Sequence, residues 1–418
     1  MFLTIHESLI ASLNSMSADS MTTGPLTGLI LDGGDVYQIQ GLAASSGQPV
    51  IGRWLVTTEL EVQTQSGSES ELLLLFNPTN NNIRPLLRSH DEWLVVPFDI
   101  IRLQADYTSR IRGLFEVDTL AKRCVAVIGL GTGGGLIALE LAKAGVGRMR
   151  LVDFDRLEIH NIARHVCGLG DIGRYKTRAV RDMLFETSPL ITVETWEANI
   201  LEQPEVLAEV VRECDLVVAA TDSERSKSAI NTVCWEAKVP TVYGAAYNRA
   251  FGGDVVLVIP DETPCYECFL SVAVDLFNTE PPDNLPTDLP YEDPQRLADI
   301  IAEPGLGMDV GMIALIHAKM ALLTLLRGTP SQLAPLPTNW VLWGNRAEWV
   351  FQKPLESIFL DVPRRPNCPF CNRAEYIKQV LGMTEAEATN KASEILAAIE
   401  QTPLPLPVSN REHPSQSE

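Results

Sequence analysis

The chain is poor in positive charge. It sets 33 Lys and Arg against 54 Asp and Glu, a formal net charge of −21. A surface that tracks phosphate backbones needs clustered cations, so nucleic acid is excluded as the expected partner, while a basic protein would be electrostatically welcome. The chain lacks an apolar run approaching 18 residues, which argues against a membrane span. With Glu7 early and no small-residue cleavage site after an apolar stretch, the N-terminus does not read as a signal peptide, and a cytoplasmic address is expected. Histidine is scarce. His6 and His90 alone occur in the first hundred residues, too few for a metal hydrolase site there. Cysteine is missing altogether from residues 269–367.

What is present supports one large domain and a smaller one, since 418 residues with 45% hydrophobic content can bury a sizeable core in each. Residues 1–104 carry strand-like runs at Gly28–Leu31, Trp54–Glu59, Leu72–Leu75 and Trp93–Pro97, with turns such as Gln65–Ser70 and Asn77–Asn82 between them. They predict a small β-rich or α+β domain of undisclosed task. From Asp106 to about Pro260 strands and helices alternate. Strands are expected at Cys124–Gly129, Met149–Asp153, Ile191–Trp196, Leu216–Ala220, Val239–Tyr243 and Val255–Ile259, with helices over Leu136–Ala144, Lys176–Glu186 and Arg225–Ala237. That alternation predicts an α/β fold: a Rossmann-like, mostly parallel sheet with crossover helices. Residues 275–305, rich in proline and acid, read as a mobile loop or lid. An apolar helix, Gly311–Leu326, follows, then strands at Val341–Phe351 and Ile358–Val362. Residues 376–418 are expected to form a C-terminal helix and, beyond about Thr402, a disordered tail.

The chemistry-bearing residues gather behind the first of these parallel strands. Gly129-Leu130-Gly131-Thr132-Gly133-Gly134 is a Gly-x-Gly-x-x-Gly turn between a strand and a helix, where backbone and helix N-terminus can approach phosphates. Asp153, about twenty residues on and at the end of the second strand, can hold ribose hydroxyls. A nicotinamide enzyme would place an acid there too, but would not predict Asp155, Asn161, Arg164 and Lys176 after it. Arg164 and Lys176 are cations able to neutralise a triphosphate. Asp222 ends the strand Leu216–Ala220, where it could ligate magnesium or simply cap the next helix. Cys265-x-x-Cys268 and Cys368-x-x-Cys371 supply four thiolates, the number a closed structural zinc site needs. Cys167, close to Arg164, is the least unlikely nucleophile among the remaining thiols, because a nearby cation would lower its pKa, but as a free cysteine it reads first as a packing residue.

In this order the motifs resemble the ThiF/MoeB/HesA and ubiquitin-E1 adenylation family: the glycine turn, Asp153-x-Asp155, Asn161-x-x-Arg164, Lys176 and Thr221-Asp222. Thr132 stands where that family usually has glycine, and His165 where it usually has glutamine. The resemblance implies that residues 105–375 form an adenylation domain with ATP, Mg2+ and Zn2+ as cofactors. It implies a homodimer in which Arg110, in Tyr107-Thr108-Ser109-Arg110, reaches the partner subunit's ATP. The implied substrate is a ubiquitin-like or sulfur-carrier protein with a C-terminal glycine. An E2-like protein or a sulfurtransferase would be the next partner. Gly129, Gly131, Gly133 and Gly134 would cradle phosphate, Asp153 and Asp155 orient ribose, and Asn161 help hold the nucleotide. Relatives often carry a further nucleophilic cysteine after the first pair, and none stands in 269–367 here. A short peptide substrate, an NAD-dependent oxidoreductase and a catalytically silent binding module are the alternatives.

Overall fold

The structure is a computed structural model and describes residues 2–15, 23–42, 49–57, 72–89, 92–102, 107–188, 190–277 and 305–401. The expected turn Gln65–Ser70, His90, residues 278–304 of the expected lid and the tail from Thr402 lie outside them. Contacts divide the chain into two compact units, Met1–Val117 and Asp118–Glu418.

Among the described residues the first unit is one mixed sheet with a single helix longer than one turn. Its strands are β1 (Phe2–His6), β2 (Thr23–Leu31), β3 (Val36–Gly41), β4 (Val50–Val56), β5 (Leu72–Asn77), β6 (Asn82–Ser89), β7 (Glu92–Val95) and β8 (Phe98–Ile101), and α1 (Glu7–Asn14) follows β1. They assemble in the order β7-β6-β5-β4-β2-β3-β1-β8. Leu72, Leu74 and Phe76 alternate onto one face, as strand geometry requires, and share a core with Leu3, Ile5, Leu9 and Leu13. The Asn-rich turn holds itself: the amide of Thr79 donates to Asn77 Oδ1 (2.9 Å) and that of Asn82 to Asn80 Oδ1 (3.1 Å). Strand β6 escapes a sequence reading because Pro85 sits inside it, and proline demotes a run of residues as a strand. Here Pro85 lies opposite Leu74, and its carbonyl still accepts from the Val96 amide (3.0 Å).

The second unit is the expected α/β layer structure. Its strands are β9 (Cys124–Ile128), β10 (Arg148–Val152), β11 (Thr192–Trp196), β12 (Leu216–Ala219), β13 (Thr241–Ala246), β14 (Gly252–Val258), β15 (Trp340–Gly344) and β16 (Glu356–Leu360). The order is β11-β10-β9-β12-β13-β14-β15-β16, parallel from β11 to β13 and antiparallel beyond. Helices α2 (Thr132–Lys143), α3 (Lys176–Thr187), α4 (Pro204–Val211) and α5 (Glu224–Glu236) make the parallel crossovers. The chain steps outward from β9 to β11, then returns to lay β12 on the other side of β9. Between those two strands the connections diverge, and a crevice opens at their carboxyl ends. Both strands are buried along their length, which is why they read as unbroken apolar runs.

Two further helices matter for the site, α6 (Tyr266–Phe277) and α7 (Gly307–Leu325). By length and composition α7 is apolar enough to cross a membrane, which the absence of an unbroken apolar run did not foretell. It packs on α2, β13 and β14, so its apolarity serves the core of this unit. His317 on α7 is buried, with Nε2 2.8 Å from the Val242 carbonyl. It fits because Gly244 has no side chain: a Cβ there would lie 2.4 Å from His317 Nδ1. The strand expected over Val341–Phe351 stops at Gly344. The chain then turns back, so that the Phe351 ring covers Gly344, where a Cβ would meet it at 2.2 Å. A straight strand would carry that ring away from the core.

Burial pushes the His317 imidazole down to about 4. The unfolded chain therefore takes up a proton near pH 6.5 that the folded chain refuses until lower pH, and stability falls as pH falls between those values. Going from pH 7 to pH 5 should cost about 2 kcal/mol through this group. Urea midpoints at the two pH values test it, with His317→Gln giving the flatter dependence.

Candidate active site

The glycine turn sits at the crevice, and its glycines differ in purpose. Gly129 has φ +90°, and a Cβ there would stand 2.6 Å from the Ala220 carbonyl oxygen, so only glycine lets the turn lie against the end of β12. A Cβ on Gly134 would stand 1.9 Å from the Gly129 oxygen, so glycine is needed to seat α2 on its own turn. Gly131 is different. A Cβ on it would meet nothing within 4 Å among the described residues, and it directly precedes the first turn of α2. Gly133 is nearly as open, with only the Ala314 Cβ at 3.9 Å. The first amides of a helix have no carbonyl partners and carry the positive end of its dipole, a natural seat for phosphate.

Leu130 is held at both of its backbone polar groups. Its N–H donates to Asp153 Oδ2 (2.6 Å), and its carbonyl lies 2.8 Å from His165 Nε2. The Cys167 amide donates to His165 Nδ1 (3.1 Å), so Nδ1 is the acceptor and Nε2 carries the hydrogen. Burial holds the His165 imidazole below its ordinary value, which keeps this neutral tautomer in place. The other oxygen of Asp153 accepts from the Asp155 amide (2.8 Å). Burial raises the Asp153 carboxyl, while nearby Lys176 and the two amides pull it back.

Asp155 in turn accepts from Lys176 Nζ at 2.7 Å, and the Lys176 amide donates to the Asp155 carbonyl at 3.0 Å. The lysine is buried with 11% of its side chain exposed, whereas Asp155 is 49% exposed. Asn161 accepts the Glu158 amide on Oδ1 (2.9 Å), and its carbonyl receives the amides of Arg164 and His165. That side chain therefore shapes the loop carrying Arg164. Arg164 is half-buried, its backbone against the start of α7, where a Cβ on Gly307 would lie 3.2 Å from the Arg164 Cα. Asp222 is exposed just past β12, joined to the turn through Ala220. It is not needed as a helix cap, because Ser223 Oγ receives the Ser226 amide (3.4 Å).

Arg110 lies in an exposed turn of the first unit, where the Arg112 amide donates to the Thr108 carbonyl (2.9 Å). Thr221 enters the sequence pattern only beside Asp222, yet its Oγ1 is buried with no hydrogen-bond partner among the described residues. For Cys167 the structure favours the packing thiol over the nucleophile. The cation beside it was expected to lower its pKa, but burial and Asp171 push the thiol up to about 12. It is a packing thiol.

The two cysteine pairs come together. Cys265 Sγ lies 3.8 Å from Cys268 and 3.7 Å from Cys368, and Cys268 lies 3.5 Å from Cys371. All four sulfurs fall within 4.8 Å of one another. A tetrahedron with metal–sulfur bonds of about 2.3 Å has edges of about 3.8 Å, so this cluster can hold a metal ion. It also fixes the start of α6. The Tyr266 amide donates to Asn231 Oδ1 (3.1 Å), and Ser228 Oγ donates to Glu267 Oε1 (2.9 Å), tying α6 to α5.

The ThiF family model matches residues 105–395, and the chain belongs to that family. The chain is 37% identical over 145 residues to the molybdopterin-synthase adenylyltransferase of Escherichia coli (strain K12), covering 34% of this chain and 57% of the relative. It is 30% identical over 261 residues to the sulfur carrier protein adenylyltransferase of Thermus thermophilus, covering 61% of this chain and 84% of that protein. It is 29% identical over 250 residues to the SAMP-activating enzyme E1 of Haloferax volcanii, covering 59% and 79%. The match to the first of these spans little more than half of that relative's length.

Gly134→Ala tests the turn directly. Its Cβ cannot coexist with the Gly129 oxygen, so the turn must shift while the sheet stays folded. Calorimetric affinity for ATP should fall by about tenfold or more with the circular dichroism unchanged. Wild-type affinity would contradict the assigned geometry.

Proposed function

We propose that the second unit adenylates the C-terminal carboxylate of a ubiquitin-like or sulfur-carrier protein ending in glycine, consuming ATP and releasing pyrophosphate. One observation carries the reading. The Asp153–Leu130–His165 bonds and the Asp155–Lys176 pair join the glycine turn, two acids and a buried cation into one connected site. A nicotinamide site would use the turn and Asp153 but has no call for a buried lysine beside them. The named activities of the relatives, adenylyltransferases of a sulfur carrier among them, support the same reading.

In this proposal the turn Gly129–Gly134 seats phosphates against the first amides of α2. Asp153 and Asp155 orient ribose, and Asn161 supports the nucleotide through the loop it shapes. Lys176, Arg164 and, from a second copy of the chain, Arg110 neutralise phosphate charge. Asp222 would hold Mg2+, which would offset charge on the triphosphate. The substrate carboxylate is already ionised near neutral pH, so no general base is needed. One of its oxygens attacks the α-phosphorus. The bond from that phosphorus to the bridging oxygen breaks, and pyrophosphate leaves with the electron pair. Positioning and charge neutralisation supply the rate.

The acyl-adenylate then passes to a partner's nucleophile, an E2-like or sulfurtransferase thiol. Two observations support direct hand-off: residues 269–367 hold no cysteine, and Cys167 is buried with its thiol pushed up to about 12. The four-cysteine cluster is assigned to structural Zn2+ on its all-sulfur donor set and spacing. A cytoplasmic setting suits eight free cysteines.

Asp222→Ala should abolish carrier-dependent ATP–pyrophosphate exchange while leaving the melting temperature unchanged; exchange at the wild-type rate would refute the metal assignment. Cys265→Ser should lose zinc by atomic emission and melt at lower temperature. Unaltered zinc stoichiometry would overturn the structural site.

A further inference from the structure

A second buried lysine stands five residues after Asp222, and the motifs leave it unused. Lys227 is in the first turn of α5, its amide donating to the Ser223 carbonyl at 3.1 Å. It is 2% exposed, and its ammonium meets Glu224 Oε1 at 2.9 Å. The other oxygen of the same carboxylate, Oε2, accepts from the Tyr266 hydroxyl at 2.8 Å. Tyr266 is also 2% exposed and is stacked on Tyr243, with ring centroids 4.3 Å apart. Two buried donors from two helices thus grip both oxygens of one carboxylate. That carboxylate arrives from the solvent side, since the Glu224 side chain is 55% exposed against 3% for Lys227.

We infer that Lys227 and Tyr266 form a receptor for the terminal carboxylate of the substrate, with Glu224 as the resident group that the substrate displaces. This rests on the adenylation reading and adds where the nucleophile is recognised before it reaches the α-phosphorus.

The energetics favour exchange over a permanent structural bond. An exposed glutamate regains solvent when it swings away, so releasing it costs little. A buried ammonium left alone is costly, so Lys227 must always have a carboxylate. Replacing one carboxylate by another therefore changes little in sum, which a site that hands its ligand onward needs. Asp254, the other acid near Lys227, does not compete for the role. It is fully enclosed on β14, accepts from Trp340 Nε1 (3.1 Å), and burial pushes its carboxyl up to about 6. His317, which also lies near Lys227, is held neutral by burial.

The same design appears at Lys176, also buried at the start of a crossover helix and facing a half-exposed acid, Asp155. There one oxygen of the acid meets one ammonium. At Glu224 both oxygens are engaged by separate donors, which matches a planar carboxylate. The start of α6 is set by Cys265 and Cys268 and by the Tyr266–Asn231 bond, so the cysteine cluster places the Tyr266 hydroxyl.

The test is calorimetric binding of N-acetyl-Gly-Gly and of its C-terminal amide to the full chain without nucleotide. The carboxylate should bind about tenfold more tightly than the amide. Glu224→Gln, which removes the resident charge, should tighten carboxylate binding by about fivefold and leave the amide unchanged. Lys227→Met should bring the carboxylate to the level of the amide. Equal or undetectable binding of the two probes to wild type, or unchanged carboxylate affinity in Glu224→Gln, would overturn the receptor. Failure of the adenylation reading looks different: the preference for carboxylate survives while ATP–pyrophosphate exchange is absent.

Discussion

The site depends on a single residue, Leu130, whose two flanking peptide groups are both held. Its N–H is fixed by Asp153 and its carbonyl by His165. A glycine turn has wide conformational freedom, and freedom in a phosphate seat is costly, because ordering it on binding consumes affinity. Here that ordering is done in advance by two side chains on opposite sides. The close approach of Gly129 to Ala220 adds the third restraint, from β12. Each restraint comes from a segment bearing a proposed catalytic residue: Asp153 precedes Asp155, His165 follows Arg164, and Ala220 precedes Asp222. The residues that shape the turn and those that would use it are therefore placed by the same bonds.

The charge balance shows how so acidic a chain can still offer positive centres to an anionic ligand. Lys176 and Lys227 are both buried beside half-exposed carboxylates, Asp155 and Glu224. Cations in that setting are strong centres, because the protein around them screens less than water does. Each is kept satisfied by an acid that reaches the surface and can be exchanged or joined by a ligand. The net charge of −21 acts at longer range on partners, where salt screens it, and scarcely offsets contacts of under 3 Å.

Much of this was legible in the chain. The parallel strands were readable because burial on both faces makes them continuous apolar runs, as in Cys124–Ile128 and Leu216–Ala219. The cysteine pairs were readable because two identical spacings seldom arise without a shared ligand. Other features depend on tertiary contacts that no spacing encodes. The role of His165 comes from a carbonyl 35 residues earlier in the chain. Lys227 and Tyr266, 39 residues apart, meet on one carboxylate only because α5 and α6 pack together. The strand β6 was hidden by Pro85, and the end of β15 by a turn that returns Phe351 over Gly344. For Cys167 the sequence offered both a neighbouring cation and the usual burial of a free cysteine, and burial decides the direction of its shift.

The most direct measurement is a crystal structure of the full chain with a non-hydrolysable ATP analogue and Mg2+. The account predicts phosphates against the amides after Gly131, with Lys176 and Arg164 turned toward them and the metal on Asp222. A nucleotide bound elsewhere, or those three side chains pointing away from the phosphates in that complex, would contradict it.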